Sequence, residues 1–150
     1  MTGMSEMNRR DFGAALAMLG ALGVKADAQV ADGGSLGAAR VIVPELTKAA
    51  NGSERWAGPN GTLATGEAVS MHESIVPAGT PKGTLHVIKH SELIVVMEGT
   101  VSYQHEDTVD VAHAGSLLYV AYGTNHLVWN SGEGAARYFV VQMGGDTKKS

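Results

Sequence analysis

The chain has no cysteine among its 150 residues. Disulfides, thiolate metal ligands and cysteine nucleophiles are therefore excluded, and any metal must be held by imidazole and carboxylate. Aromatic residues make up 5% and charged residues 17%, and no basic cluster interleaved with aromatics occurs anywhere. With a formal charge of −4, there is no electrostatic case for nucleic acid or an anionic membrane as a partner. No phosphate-cradling glycine loop is present, and Ser116 has no triad companion nearby. Long apolar runs are lacking too. The stretch from Phe12 to Val24 is about 13 residues, well short of the roughly 20 that span a bilayer. What the chain does have is glycine, 20 of them, which favours many turns over long helices. Its length suits one domain with a single core.

Residues 1–28 read as a targeting segment rather than as part of the fold. Asn8-Arg9-Arg10-Asp11-Phe12 precedes a short apolar stretch, then Lys25 and Ala26-Asp27-Ala28. That is a charged region, an apolar region and a small-x-small cleavage site. The paired arginines followed by Phe12 resemble the twin-arginine signal, with Asp11 and Gly13 departing from its usual flanks. Cleavage after Ala28 and a bacterial periplasmic destination are expected. A chain free of cysteine suits such an oxidising compartment.

Residues 29–60 read as an N-terminal arm contributing at most one strand, and residues 61–146 as a barrel. From Gly61 onward the pattern is strand, turn, strand. Runs at Ala68–Val76, Leu85–His90, Leu93–Met97, Thr100–Gln104, Thr108–Val111, Leu117–Ala121, His126–Trp129 and Ala136–Met143 are separated by turn residues. Short β-branched or aromatic runs spaced this way predict an antiparallel sandwich or barrel. Lys148-Lys149-Ser150 reads as a frayed tail.

One stretch carries the chemistry: Leu85-His-Val-Ile-Lys-His-Ser-Glu-Leu-Ile-Val-Val-Met-Glu-Gly99. Side chains alternate across a strand, so His86, Ile88 and, if the strand continues, His90 point to one face. Glu92 begins the next run, and its side chain can face the interior opposite His86. His126 arrives from a separate strand. Imidazole and carboxylate converging from three segments is a divalent transition-metal arrangement. Gly99, Gly115 and Gly123 stand where the chain must reverse, a task suited to a residue that reaches positive φ without a Cβ clash.

Two segments resemble the cupin family. In the first motif His86 takes the first histidine, and Glu92 and Gly99 stand at the family spacing. Gly79 lies one residue further upstream than the pattern asks, and Ile88 replaces the second histidine. In the second, Gly115, Gly123, His126 and Asn130 fall on the pattern, with Ala121 in place of proline. The resemblance implies an all-β fold, an antiparallel double-sheet jelly-roll barrel with an N-terminal arm, and a homodimer. It implies His86, Glu92 and His126 as metal ligands, with Ile88 marking the lost fourth. His90, two residues from Glu92, could make up the deficit.

The first functional expectation is an exported metalloprotein holding Mn, Fe, Ni, Cu or Zn. It would act on a small organic substrate through oxygenase-like or other metal-assisted chemistry. The alternative is a metal-free, non-catalytic cupin that binds a small ligand or serves as a dimeric structural domain. Glu92 would then need a partner, since an unpaired buried carboxylate is costly, and His86 or His126 as imidazolium could serve. His72 is expected as a satisfied core histidine in preference to a cavity-lining one, and His105 and His113 as solvated loop residues. Trp129, Tyr119, Tyr122, Tyr138 and Phe139 are expected to fill or face the barrel wall, and Met71 and Met97 to lie in the core.

Overall fold

The computed structural model describes residue 36 and residues 39–147. The segment expected to direct export, the start of the arm and the tail at 148–150 lie outside the described residues. Among the described residues ten strands follow in order: β1 (Thr47–Lys48), β2 (Glu54–Thr62), β3 (Ala68–Val76), β4 (His86–Val87), β5 (Ser91–Glu98), β6 (Thr100–His105), β7 (Thr108–His113), β8 (Leu117–Val120), β9 (Asn125–Asn130) and β10 (Ala136–Met143). They form a six-stranded sheet, β1-β2-β3-β10-β5-β8, and a four-stranded sheet, β4-β9-β6-β7. The strand pairings are antiparallel. This is the antiparallel arrangement that the strand pattern predicts and the double-sheet jelly roll that the resemblance implies.

The two-residue period explains what faces the core. Along β8, Leu118 and Val120 are buried while Leu117 and Tyr119 are exposed. Along β5, Glu92, Ile94 and Val96 are buried, so Glu92 shares its face with the apolar core by parity alone. Val96, Val101 and Val120 are fully buried between the sheets, a burial that stabilises by about 1.5–3 kcal/mol for each such side chain. The β5–β6 reversal is made by Gly99, at φ 75. A Cβ there would lie 2.4 Å from the Ala135 carbonyl oxygen, so only glycine fits. Asn130 closes the loop before β10. Its Nδ2 donates to the carbonyls of Val76 and Gly134 at 2.8 Å, and its Oδ1 accepts from the Gly132 amide.

Several expectations need correction. The strand expected over Leu85–His90 shrinks to His86–Val87, because the chain bends at residues 89–90. Ile88 exchanges backbone hydrogen bonds with the 123–124 turn instead. The residues expected to form the arm supply β1 and most of β2, which runs past residue 60 and pairs along β3. His105 and His113 end strands β6 and β7 rather than lying in loops. Met97 points outward and is 37% exposed, and Tyr119 and Tyr122 are more exposed still.

Candidate functional site

Glu92 stands at the centre of a polar cluster inside the barrel. Its Oε1 accepts a hydrogen bond from His90 Nε2 at 2.9 Å and another from Gln142 Nε2 at 2.9 Å. Its Oε2 lies 3.5 Å from His126 Nε2. Burial pushes the Glu92 carboxyl up, but the hydrogen bonds from His126, His90 and Gln142 outweigh it and hold the group at about 2. His90 sits in the bend before β5 and reaches both ways. Its Nδ1 lies 2.8 Å from Asp146 Oδ1, so a His90 that donates from both nitrogens is an imidazolium between two carboxylates. Burial pulls its pKa down, yet the hydrogen bonds to Glu92 and Asp146 win and raise it.

Each strand places its own member. β5 turns Glu92 inward, and β9 delivers the buried His126 from the other sheet. β10 turns Gln142 to the same side as Val140 by parity. His86 is the direct register partner of His126, and their rings stand 4.7 Å apart. His86 itself is exposed, and its Nδ1 lies 3.2 Å from the Thr84 carbonyl oxygen. Ile88, where the family motif would carry a histidine, is 5% exposed and packs into the core cluster with Ile94 and Val96.

The four residues expected to hold a metal thus lie at one end of the barrel, but they do not close around an ion. Among the described residues, no three histidine, aspartate or glutamate side chains form a group that could hold one. The donor atoms meet each other instead, since both Glu92 oxygens already face an imidazole. A ligating histidine ordinarily donates its second ring N–H to an outer partner. Among the described residues the buried His126 Nδ1 has no hydrogen-bond partner, so none of them supplies that orienting bond.

Beside the cluster opens a cavity of about 370 Å3, with His90 and Gln142 in its wall. The rest of the wall comes from β2, β3 and the turn after β10, including Arg55, Asn60, Ser70, His72 and Thr147. His72 is corrected here from a core histidine to a cavity-lining one. Burial, and then the Arg55 charge, pull its pKa down to about 4. Sequence reasoning missed Gln142, although β10 was delimited correctly and parity with Val140 would have found it. Arg55 carries no such signal, because Gly58-Pro59 breaks the strand pattern of β2.

Residues 72–142 match the cupin domain family. The fold is that of the cupins. A cupin of double-stranded β-helix fold from Methanocaldococcus jannaschii aligns with TM-score 0.54 and 16% identity, over 71% of this chain and 94% of that one. A cupin 2 conserved barrel protein from Salinispora arenicola aligns with TM-score 0.53 and 21% identity, over 70% and 89%. A predicted oxalate decarboxylase from Thermotoga maritima gives 0.51 and 15%, over 67% and 90%. At these identities the likeness concerns the fold. No curated protein matches the chain.

Proposed function

We propose that this protein is an exported cupin that binds a small organic ligand in the cavity beside His72, with the His90–Glu92–His126 cluster behind the ligand. One observation carries the reading. His90 and Gln142 both line the cavity and both hydrogen-bond Glu92, so a bound molecule touches the groups that hold the buried carboxylate. A cavity of this size lies at the small end of ligand pockets. Export rests on the Arg9-Arg10 segment and its cleavage site.

The competing reading is a divalent transition metal (Mn, Fe, Ni, Cu or Zn) held by His86, His90, Glu92 and His126. The observation that favours it is the approach of two imidazole Nε2 atoms to one carboxylate, at 2.9 and 3.5 Å. Such an ion would supply Lewis acidity. Elemental analysis of the purified protein beside a His126→Ala variant separates the two. Near-stoichiometric metal that disappears in the variant establishes the centre. For ligand binding, a fragment screen by ligand-observed NMR is run against the wild-type protein and His72→Ala. Fragments whose signals respond only to the wild type support the cavity, and a screen with no such fragment refutes it.

A homodimer is part of the same proposal. Among the described residues β8 is an edge strand of the six-stranded sheet, and Leu117 and Tyr119 on it lie in register with Val95 and Leu93 of β5. An apolar edge strand with open backbone groups is a template for pairing, and a second copy offers the same antiparallel edge. Light scattering on wild type and Leu117→Lys tests it, with a dimer expected to become a monomer. A wild-type monomer would remove it.

A further inference from the structure

The cavity's chemistry narrows the ligand class, an inference that rests on the ligand-binding reading above. It begins with an irregularity in β2. Ala57 pairs with His72 and Asn60 with Ser70, so Gly58 and Pro59 together oppose Met71 alone. That is a β-bulge, which re-aims the side chains beyond it. Pro59 lacks the N–H that a regular ladder would need, and a bulge is one of the few places in a sheet that tolerates it. Gly58 is equally constrained, since a Cβ there would fall 2.7 Å from the Trp56 ring and 2.9 Å from the Met71 carbonyl oxygen. Without the extra residue Asn60 would follow the outward parity of Trp56. With it, Asn60 joins Arg55 and Ala57 on the cavity face.

The charges in the wall are few and unequally matched. Asp146 is already opposite His90, and His72 is held neutral at ordinary pH. Among the described residues no carboxylate lies within ion-pair distance of Arg55. Arg55 therefore offers a planar fork of donors to whatever enters the cavity. A second observation is independent of charge. Thr147 is 3% exposed and lines the same cavity, yet among the described residues its Oγ1 has no hydrogen-bond partner. A buried hydroxyl without a partner is costly, and a ligand oxygen in the cavity would relieve it. Glu92 does not line the cavity, and its charge is met by His90, Gln142 and His126.

We propose that the cavity binds a small organic acid, with Arg55 holding its carboxylate and Thr147 Oγ1 hydrogen-bonding a second oxygen on the same molecule. About 370 Å3 corresponds to about a dozen heavy atoms if each takes roughly the 30 Å3 of a liquid water. A dicarboxylic or hydroxycarboxylic acid of a few carbons fits that space.

The test is isothermal titration calorimetry at neutral pH on the full chain. The probes are succinate and malate beside the uncharged succinamide, with the wild type, Arg55→Gln and Thr147→Val. Arg55 is exposed, so its replacement leaves the core untouched, and Thr147→Val keeps the side-chain shape. At least one acid should bind tenfold or more tightly than succinamide. Arg55→Gln should erase that preference, and Thr147→Val should weaken the acid severalfold. If succinamide binds as well as the acids, or Arg55→Gln leaves acid affinity unchanged, the acid assignment is wrong while ligand binding in the cavity stands. If none of the three binds the wild type, the acid assignment falls, while the fragment screen decides separately whether the cavity binds a ligand at all.

Discussion

Glu92 and His126 join the two sheets of the barrel through a carboxylate–imidazole contact of 3.5 Å in the interior. Glu92 belongs to the larger sheet and His126 to the smaller, and each is less than a tenth exposed. Replacing the carboxylate by an amide keeps the volume but removes the charge that holds His90 and His126. Glu92→Gln is therefore expected to lose about 1.5–3 kcal/mol, the usual scale for hydrogen bonds to charged groups. Urea unfolding at pH 7 measures it. A loss below about 0.5 kcal/mol, the ordinary surface range, would mean that the cluster does not hold the sheets together.

The pH dependence of stability follows from the signs of three shifts. Glu92 is held at about 2, below its ordinary 4.5, so its contribution is present above pH 4.5 and is lost as the pH falls toward 2. His90 is raised, so its contribution is complete below 6.5 and is lost as the pH rises through its folded value. His72 is lowered to about 4, so between 6.5 and 4 protons bind the unfolded chain in preference and stability declines with falling pH. Melting temperature should thus begin to drop below about pH 6.5, well before the carboxylates titrate. His72→Gln should flatten that first part of the acid limb. An unchanged limb in the variant would contradict the placement of His72 in a desolvated wall.

How much of this could be read beforehand depended on whether a residue's neighbours were local. β3 and β10 were legible to the residue because each carries β-branched, aromatic or other apolar side chains at both ends of a run free of glycine and proline, between turn signals. The approach of His90 to Glu92 was legible because they are two positions apart. β2 was not, because Gly58-Pro59 interrupts it and its order comes from pairing with β3 rather than from its own composition. With β2 unseen, Arg55 and Asn60 could not be placed. Asp146 and Thr147 depend on a turn whose direction is set by glycines 144 and 145, at φ 69 and 56, and no periodicity reports that.

Ile88 gives a direct check on the altered motif. It belongs to the core cluster with Ile94 and Val96, so Ile88→His would bring a polar ring into an apolar site. A loss of about 2–5 kcal/mol is expected, combining lost packing with burial of a polar group. Urea unfolding and elemental analysis of the variant are read together. A variant that keeps its stability and takes up stoichiometric metal would show that position 88 still faces a latent metal centre.

Gly145 separates the geometry of the His90 network from its chemistry. A Cβ there would sit 1.7 Å from the Lys89 carbonyl oxygen, so Gly145→Ala must displace one of the two segments. That same carbonyl accepts the Asp146 amide at 3.0 Å, and Asp146 in turn holds His90 Nδ1 at 2.8 Å. The substitution should therefore release Asp146 and lower the pKa of His90 toward that of an ordinary histidine, as Asp146→Asn should do directly. Gly144→Ala is the control. Its φ of 69 carries a similar backbone penalty of about 1–2 kcal/mol, but a Cβ there meets nothing within 4 Å. Histidine NMR titrations of the three variants should show His90 shifted in Gly145→Ala and Asp146→Asn and unmoved in Gly144→Ala. Equal shifts in both glycine variants would mean that backbone strain in the turn, rather than the Lys89 contact, sets the position of Asp146.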